Sequence, residues 1–171
     1  MTPPSWYARL PMFGGKRLLA VDNNVIGAYF FESPTDEVRF AFEEPGLQIQ
    51  CSRQAIDEAL NHPDFRVDRR REMWTRLAEL QGRGKVFLSG TSQMTKAQLE
   101  LYEKLTTLLS NAEVQKKDAP IVADAIVKRI PLLTLDQRLK NAVTSALRNA
   151  KVCDFLKDNS LPDSATVIFV S

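Results

Sequence analysis

Short continuous runs of apolar residues alternate along this chain with longer stretches in which apolar residues recur every three or four positions. The short runs have the length of buried strands, and they lie at 17–21, 47–51, 86–88, 132–135 and 166–170. The longer stretches have helical periodicity, and they lie at 23–31, 33–44, 52–61, 64–80, 96–110, 120–130 and 137–149. This alternation predicts an α/β fold, a three-layer α/β/α sandwich with a mostly parallel central sheet.

Capping residues place several helix boundaries. Thr95 and Gln98 have the spacing of a capping box for the helix 96–110. Pro120 fits the first turn of the helix 120–130, which puts Asp118 near its N-cap. Asp124, in the same helix, is expected on the solvent side. The helix 64–80 is predicted to turn four apolar residues towards the core: Phe65, Met73, Trp74 and Leu77.

The length of 171 residues indicates one domain with a proper core. Residues 1–16 are aromatic but broken by proline and glycine, so they are predicted to form an extended N-terminal arm over a domain formed by residues 17–171. Apolar residues make up 44% and charged residues 26%, as in an ordinary globular protein. Two cysteines far apart and one histidine give no support to a thiolate zinc site or to histidine-dependent nucleophilic catalysis.

No apolar run approaches the ~20 residues that span a bilayer, so we expect no membrane partner and a cytoplasmic location. The net charge of +2 is too small to indicate nucleic-acid binding by itself. From Arg66 to Lys85, however, seven basic residues stand against three acidic ones. Two interpretations of this segment stay open, a phosphate-binding patch and a solvated helix face.

Two carboxylates flank a helix and the strand that follows it. A helix of about eleven residues carries the chain roughly 17 Å away from Asp118. The strand after it carries the chain about as far back, so Asp136 returns to the edge where Asp118 lies. Asp22 follows the first strand and therefore belongs to the same carboxyl edge, and Glu58 lies in the helix after the second strand.

Four carboxylates at one edge raise each other's pKa unless positive charge compensates them. Oxygen-only ligands suit Mg²⁺ or Mn²⁺, which can activate water and screen a phosphate. Asn24 and Thr134 stand close enough in sequence to Asp22 and Asp136 to orient these acids or a bound water. Each acid is also a plausible helix cap on its own, so the functional interpretation depends on their convergence.

Four segments together resemble the PIN-domain nucleases. They are Leu-Leu-Ala-Val-Asp22-Asn-Asn24, Cys51-Ser52-x5-Glu58, Asp118-x-x-Ile-x-Ala-x-Ala and Pro-Leu-Leu-Thr134-x-Asp136-x-Arg138-Leu. The resemblance covers about residues 17–170, and the middle of the chain matches only as generic helix. Two features depart from the compact members of the family: the residues before the first strand and the long helix at 64–80.

The resemblance implies a metal-dependent endoribonuclease similar to VapC-type toxins. Its catalytic residues would be Asp22, Glu58, Asp118 and Asp136, with Mg²⁺ or Mn²⁺ held by Asp22, Asp118 and Asp136 and supported by Asn24 and Thr134. Because Asp57 adjoins Glu58, a shift of one residue would exchange their roles. Implied partners are an RNA substrate and a cognate antitoxin or immunity protein, and a homodimer is compatible with the exposed apolar residues expected on the long helices.

Two other functions remain open at this stage. One is a non-catalytic PIN-like module that binds RNA or protein. The other is a phosphatase of the haloacid dehalogenase type, which also places an aspartate after its first strand. That phosphatase requires a second aspartate two positions later, where this chain has Asn24.

Overall fold

The apolar runs form one sheet at the centre of the molecule. The structure is a computed structural model and describes residues 2–61, 66–162 and 167–170. Within these ranges the strands are β1 (Met12–Phe13), β2 (Lys16–Val21), β3 (Leu47–Ser52), β4 (Val86–Ser89), β5 (Leu132–Thr134) and β6 (Val167–Phe169). The strand order is β4-β3-β2-β5-β6 with parallel neighbours, and β1 pairs antiparallel with β2.

Helices connect the parallel strands. They are α1 (Asn23–Phe31), α2 (Asp36–Glu43), α3 (Arg53–Leu60), α4 (Val67–Gly82), α5 (Lys96–Asn111), α6 (Ala119–Val127), α7 (Gln137–Ala146) and α8 (Ala150–Asp158). The predicted α/β/α sandwich with a mostly parallel sheet is confirmed. The capping box is also confirmed, since the Thr95 hydroxyl accepts from the Gln98 backbone N–H and the Gln98 side chain accepts from the Thr95 N–H.

The strand order reverses beside β2. From β2 the chain moves outwards through β3 and β4, and it enters β5 and β6 later on the opposite side. Such a reversal opens a crevice outside the carboxyl ends of the two strands that flank it. Val21 is level with Leu133 in the parallel register, so the residues that follow, Asp22 and Thr134, lie side by side at this crevice.

Helix α6 is the most deeply buried helix of the described chain. Ala119 and every residue from Ile121 to Val127 are buried, and α6 packs against α5 and α3. It ends earlier than predicted, because Arg129 adopts a left-handed φ of 60° and the Ile130 N–H donates to the Ala125 carbonyl. This tight burial fixes the position of Asp118 at the start of the helix.

The N-terminal segment is part of the same core. Trp6 and Leu10 are buried with the residues of the sheet, and the Trp6 indole N–H donates to Glu37. The segment is not extended throughout, because Tyr7–Arg9 form a 3-10 turn and β1 makes a hairpin with β2. The glycines at 14 and 15, both with positive φ, form that turn, so the predicted boundary at residue 16 falls inside a hairpin.

Some helical details differ from the prediction. Met73 and Leu77 are buried as expected, but Trp74 is 40% exposed, so its predicted place in the core is wrong. The helix predicted at 137–149 is α7, which ends three residues earlier, at Ala146, and α8, which the Asn149 side chain caps, was not predicted. Phe65 and Thr166, predicted in a helix and a strand, lie outside the described residues. No helix of the described ranges has both the length and the apolar character needed to cross a bilayer.

Candidate active site

Asp22 lies in the crevice between β2 and β5. It is 2% exposed; its Oδ1 accepts from the Asn23 N–H at 2.8 Å, and its Oδ2 accepts from the Thr134 hydroxyl at 3.0 Å. Burial raises the pKa of Asp22 to about 6 against the opposing effect of these two hydrogen bonds, and the charges of Asp118 and Asp136 raise it further. The capping role and the placement among other acids therefore coexist in this residue.

The Thr134 hydroxyl joins the elements that meet at the crevice. It donates to Asp22 and accepts from the Asn24 side-chain amide at 3.3 Å and from the Asp136 N–H at 3.0 Å. The Asn24 carbonyl oxygen in turn accepts from the Leu135 N–H. A hydroxyl offers one donor and two acceptor sites, so that of Thr134 is saturated. Both supporting residues predicted from the sequence are thus bonded to the strand ends that carry the acids.

Asp136 lies at the far side of the same corner. Its Oδ1 accepts from the backbone N–H groups of Arg138 and Leu139, so it caps α7. The capping interpretation is therefore confirmed for Asp136. Its charge also raises the pKa of Asp22 and of Asp118, which places its carboxylate within electrostatic reach of both.

Asp118 precedes α6 but does not cap it. The residue occupies the cap position with no capping hydrogen bond from its side chain, and it is 8% exposed. Burial raises its pKa, the neighbouring Lys117 lowers it and Asp136 raises it. Capping of its own helix therefore does not explain why the Asp118 carboxylate is buried.

Glu58 completes the group from α3. Burial raises its pKa to about 7, and Asp118 and Asp22 raise it further, whereas Lys117 and a hydrogen bond with Gln54 lower it. Asp57, its neighbour, is exposed and lines a different cavity. The structure therefore brings Glu58, and not Asp57, towards the other acids. These four carboxylates, Asp22, Glu58, Asp118 and Asp136, are referred to below as the acid cluster.

The acid cluster matches a hard divalent cation in chemistry, since it offers only oxygen donors that repel one another. Within the described ranges, however, no group of three or more acidic, histidine or cysteine side chains is placed so that it could hold a metal ion. Magnesium commonly takes one or two protein carboxylates and completes its shell with water and substrate phosphate, so it does not require three of these acids. The sharing of one ion by Asp22, Asp118 and Asp136 stays a prediction.

An open cleft of about 930 Å³ adjoins the acid cluster, and Asn24 and Asp136 belong to its wall. Three cations also line it, namely Arg69 of α4, Lys117 before α6 and Arg138 in the first turn of α7. The guanidinium of Arg69 lies 5.7 Å from the centre of the Phe31 ring. Positive groups beside a cluster of acids can bind phosphates of a nucleic-acid backbone. The phosphate between them would then lie next to the acids.

The basic segment 66–85 therefore serves more than one purpose. Arg69 faces the cleft, whereas Arg76 lies over the Phe30 ring and donates to the Phe30 carbonyl. Lys85 is buried and donates to the carbonyls of Glu44 and Leu47. A single phosphate-binding patch across the whole segment is thus excluded, because two of its cations are used inside the fold.

Sequence reasoning missed one buried acid. Asp124, expected at the surface, is 8% exposed; its Oδ2 accepts from the Ser89 hydroxyl at 3.4 Å and its Oδ1 lies 2.9 Å from Lys128 Nζ. The signal was present, because α6 carries apolar residues all round and such a helix has no solvent side.

No protein-family model matches this chain, and no curated protein matches it at a significant level. The function is therefore inferred from the residues and from their arrangement.

Removal of the Glu58 charge should stabilise the cation-free protein. The folded-state pKa, about 7, lies above the ordinary value of 4.5, so the ionised form is disfavoured in the folded state. This destabilisation is absent below about pH 4.5 and complete above about pH 7. We expect Glu58→Gln to raise the Tm by about 2–4 °C at pH 8 and to leave it nearly unchanged at pH 4.5. Asp57→Asn is the control, and its Tm should match that of the parent at both pH values. An equal rise in the Tm of Glu58→Gln at pH 8 and at pH 4.5 would contradict this explanation.

The Thr134 hydroxyl should be required for stability. Thr134→Val keeps the shape but leaves the Asn24 amide and the Asp136 N–H without their acceptor, and Asp22 without one donor. We expect a loss of about 1–3 kcal/mol in the free energy of unfolding, measured by urea denaturation. Thr134→Ser keeps the hydroxyl and should recover most of the loss. If the serine variant is as unstable as the valine variant, the side chain acts through its methyl group instead.

Proposed function

We propose that this chain is a metal-dependent endoribonuclease of the PIN-domain kind, which hydrolyses RNA phosphodiester bonds with a water nucleophile. The observation that carries the proposal is the convergence of Asp22, Asp118, Asp136 and Glu58 at the point where the strand order reverses. Three of these acids have raised pKa values, and such groups concentrate at catalytic sites.

Each acid has a distinct part in the proposed reaction. When bound, Mg²⁺ or Mn²⁺ would supply a Lewis acid that activates water and screens phosphate charge. Asp22 and Asp118 would hold this ion, and Asp136 would add negative charge from the cap of α7. Glu58, whose pKa is about 7 in the cation-free protein, would take the proton from the attacking water. The water oxygen would form the new bond to phosphorus as the bond to the leaving ester oxygen breaks, and that oxygen would take a proton from solvent.

The neighbouring cleft supports a polyanionic substrate. Lys117 directly precedes Asp118, and Arg138 follows Asp136 by two residues in the first turn of α7. Each of these cations therefore lies close in sequence to one of the acids and also lines the cleft. Phosphates held by Lys117 and Arg138 would set the scissile phosphate over the acids, while Arg69 extends the contact along the cleft. The choice of RNA over DNA comes from the family resemblance.

The phosphatase alternative finds less support. Its mechanism needs an acid at position 24, but both ends of the Asn24 amide are bonded, to the Thr134 hydroxyl and to the Leu135 N–H. Asn24 is therefore suited to hold the corner in place and not to protonate a leaving group. A non-catalytic module would have no evident use for Asp118, which is buried at a helix start that it does not cap.

A toxin-like ribonuclease would act in the cytoplasm and would need an antitoxin or immunity protein. Met12 and Phe13 are 61% and 76% exposed on the β1–β2 hairpin, and Trp74 and Phe87 are also exposed. Exposed apolar side chains of this size suit an inhibitor or a second copy of the chain.

Neutralising one acid should abolish cleavage without unfolding the protein. Purified parent should cut a single-stranded RNA in the presence of Mg²⁺ or Mn²⁺, and chelation with EDTA should stop the reaction reversibly. Asp22→Asn and Asp118→Asn should each lower the cleavage rate at least 100-fold, because such losses accompany removal of a directly acting group. Asp158→Asn, an exposed acid in the last turn of α8, should cut like the parent.

Two results would overturn this assignment. One is RNA cleavage by Asp22→Asn and Asp118→Asn at the parental rate. The other is chelator-sensitive turnover of a small phosphate monoester with no action on RNA, which would favour the phosphatase. Circular dichroism of every variant verifies that the fold is kept.

A further inference from the structure

A second cavity, of about 370 Å³, lies over the carboxyl ends of β3 and β4. Ser89 ends β4 and contributes to this cavity, together with Gln54 and Asp57 of α3, Tyr102 of α5 and Asp124 of α6. It is distinct from the open cleft lined by Arg69, Lys117 and Arg138, which we call the cationic cleft, since the two share no lining residue. We call it the base pocket.

The base pocket adjoins the acid cluster through α3. The Gln54 side-chain amide donates to the Lys117 carbonyl at 3.0 Å and its side chain also bonds Glu58. Lys117 belongs to the wall of the cationic cleft, so the Gln54 hydrogen bond links the linings of the two cavities. An RNA strand bound at the acid cluster is therefore close to both cavities.

A buried carboxylate, that of Asp124, belongs to the wall of the base pocket. The Asp124 carboxylate accepts from Ser89 at 3.4 Å, and Lys128 Nζ lies 2.9 Å from its other oxygen. Among the described residues Lys128 Nζ has no hydrogen-bond partner, so this contact is an ion pair without a directed bond. A carboxylate has about four acceptor sites, so Asp124 can still accept from a ligand. Asp57 adds a second, exposed carboxylate at the rim.

The charged and aromatic side chains of this lining favour the base of a nucleotide over its phosphate. Carboxylates at the wall repel a phosphate, although Arg53 at the rim could hold one outside. They attract N–H donors, and a base with a ring N–H beside an amino group offers two donors to one carboxylate. Guanine has that edge, with N1–H next to the N2 amino group. The Tyr102 ring adds an aromatic surface of the kind on which unpaired bases stack.

We propose that the base pocket binds guanine in the nucleotide next to the scissile phosphate, with Asp124 as the residue that recognises it. This proposal rests on the proposed ribonuclease function. Asp124 is thereby a specificity residue: it contacts the base and takes no part in bond cleavage. Loss of one bond of such a pair should change discrimination about tenfold.

The test uses a single-stranded RNA with one mapped cleavage site and a guanosine beside it. Inosine, which lacks only the N2 amino group, replaces this guanosine, on the 5′ side of the cut in one substrate and on the 3′ side in another. We expect the parent to cut the guanosine substrate about tenfold faster than one of the two inosine substrates. Asp124→Asn should cut the guanosine substrate and that inosine substrate at similar rates, because the asparagine amide has only one acceptor oxygen.

Lys128→Gln is the matched control. It breaks the same ion pair but leaves the Asp124 carboxylate, and Lys128 does not line the base pocket. We expect it to keep the preference for guanosine over inosine even if its Tm falls. If Asp124 is only a structural partner of Lys128, both variants lose stability alike and neither changes the preference.

The outcomes separate this proposal from the proposed function. Chelator-sensitive cleavage that does not distinguish guanosine from inosine on either side overturns the base pocket and leaves the ribonuclease in place. The same holds if Asp124→Asn keeps the parental preference. Absence of any chelator-sensitive RNA cleavage overturns the ribonuclease, and the base pocket with it.

Discussion

The burial of several carboxylates at one crevice is the constraint on which the rest of this structure depends. Asp22 and Asp136 lie after strands β2 and β5 of the parallel sheet, at one crevice. Asp118 lies at the start of α6, and Glu58 lies in α3. Asp22 and Asp118 are buried and Glu58 is partly buried, and burial is the first cause of the raised pKa of these three acids. Such an arrangement lowers the stability of the empty protein at neutral pH, and proteins keep an arrangement of this kind where a function requires it.

The hydrogen bonds around Thr134 make this arrangement possible. One hydroxyl connects the acid after β2, the amide of Asn24 in α1 and the backbone at the start of α7. The two donors to Asp22 oppose the rise in its pKa, so the carboxylate can ionise at a pH where a cation would bind it. The positions of the acids are thus set by bonds to strand ends, which move less than loops do.

Much of the fold and of the acid cluster followed from the sequence. Apolar runs fix the strands, and parallel strands must present their carboxyl ends at one edge, so Asp22 and Asp136 could be paired without a structure. Local patterns could not decide whether Asp118 caps its helix, because capping and ligand positions look alike until hydrogen bonds are placed. Helix α8 was not predicted, and neither glycine nor proline between Ala146 and Ala150 marks where α7 ends and α8 begins. Trp74 was misplaced because periodicity does not show how much of a helix its neighbours cover.

The most direct test of the central claim is the position of a bound cation. Anomalous X-ray scattering from crystals grown with Mn²⁺ would locate it independently of any activity. The account predicts a manganese ion about 2.1–2.3 Å from carboxylate oxygens of Asp22 and Asp118, close to the distances of hard divalent cations. Manganese found only elsewhere on the protein, with the carboxylates of Asp22 and Asp118 free of it, would contradict the account.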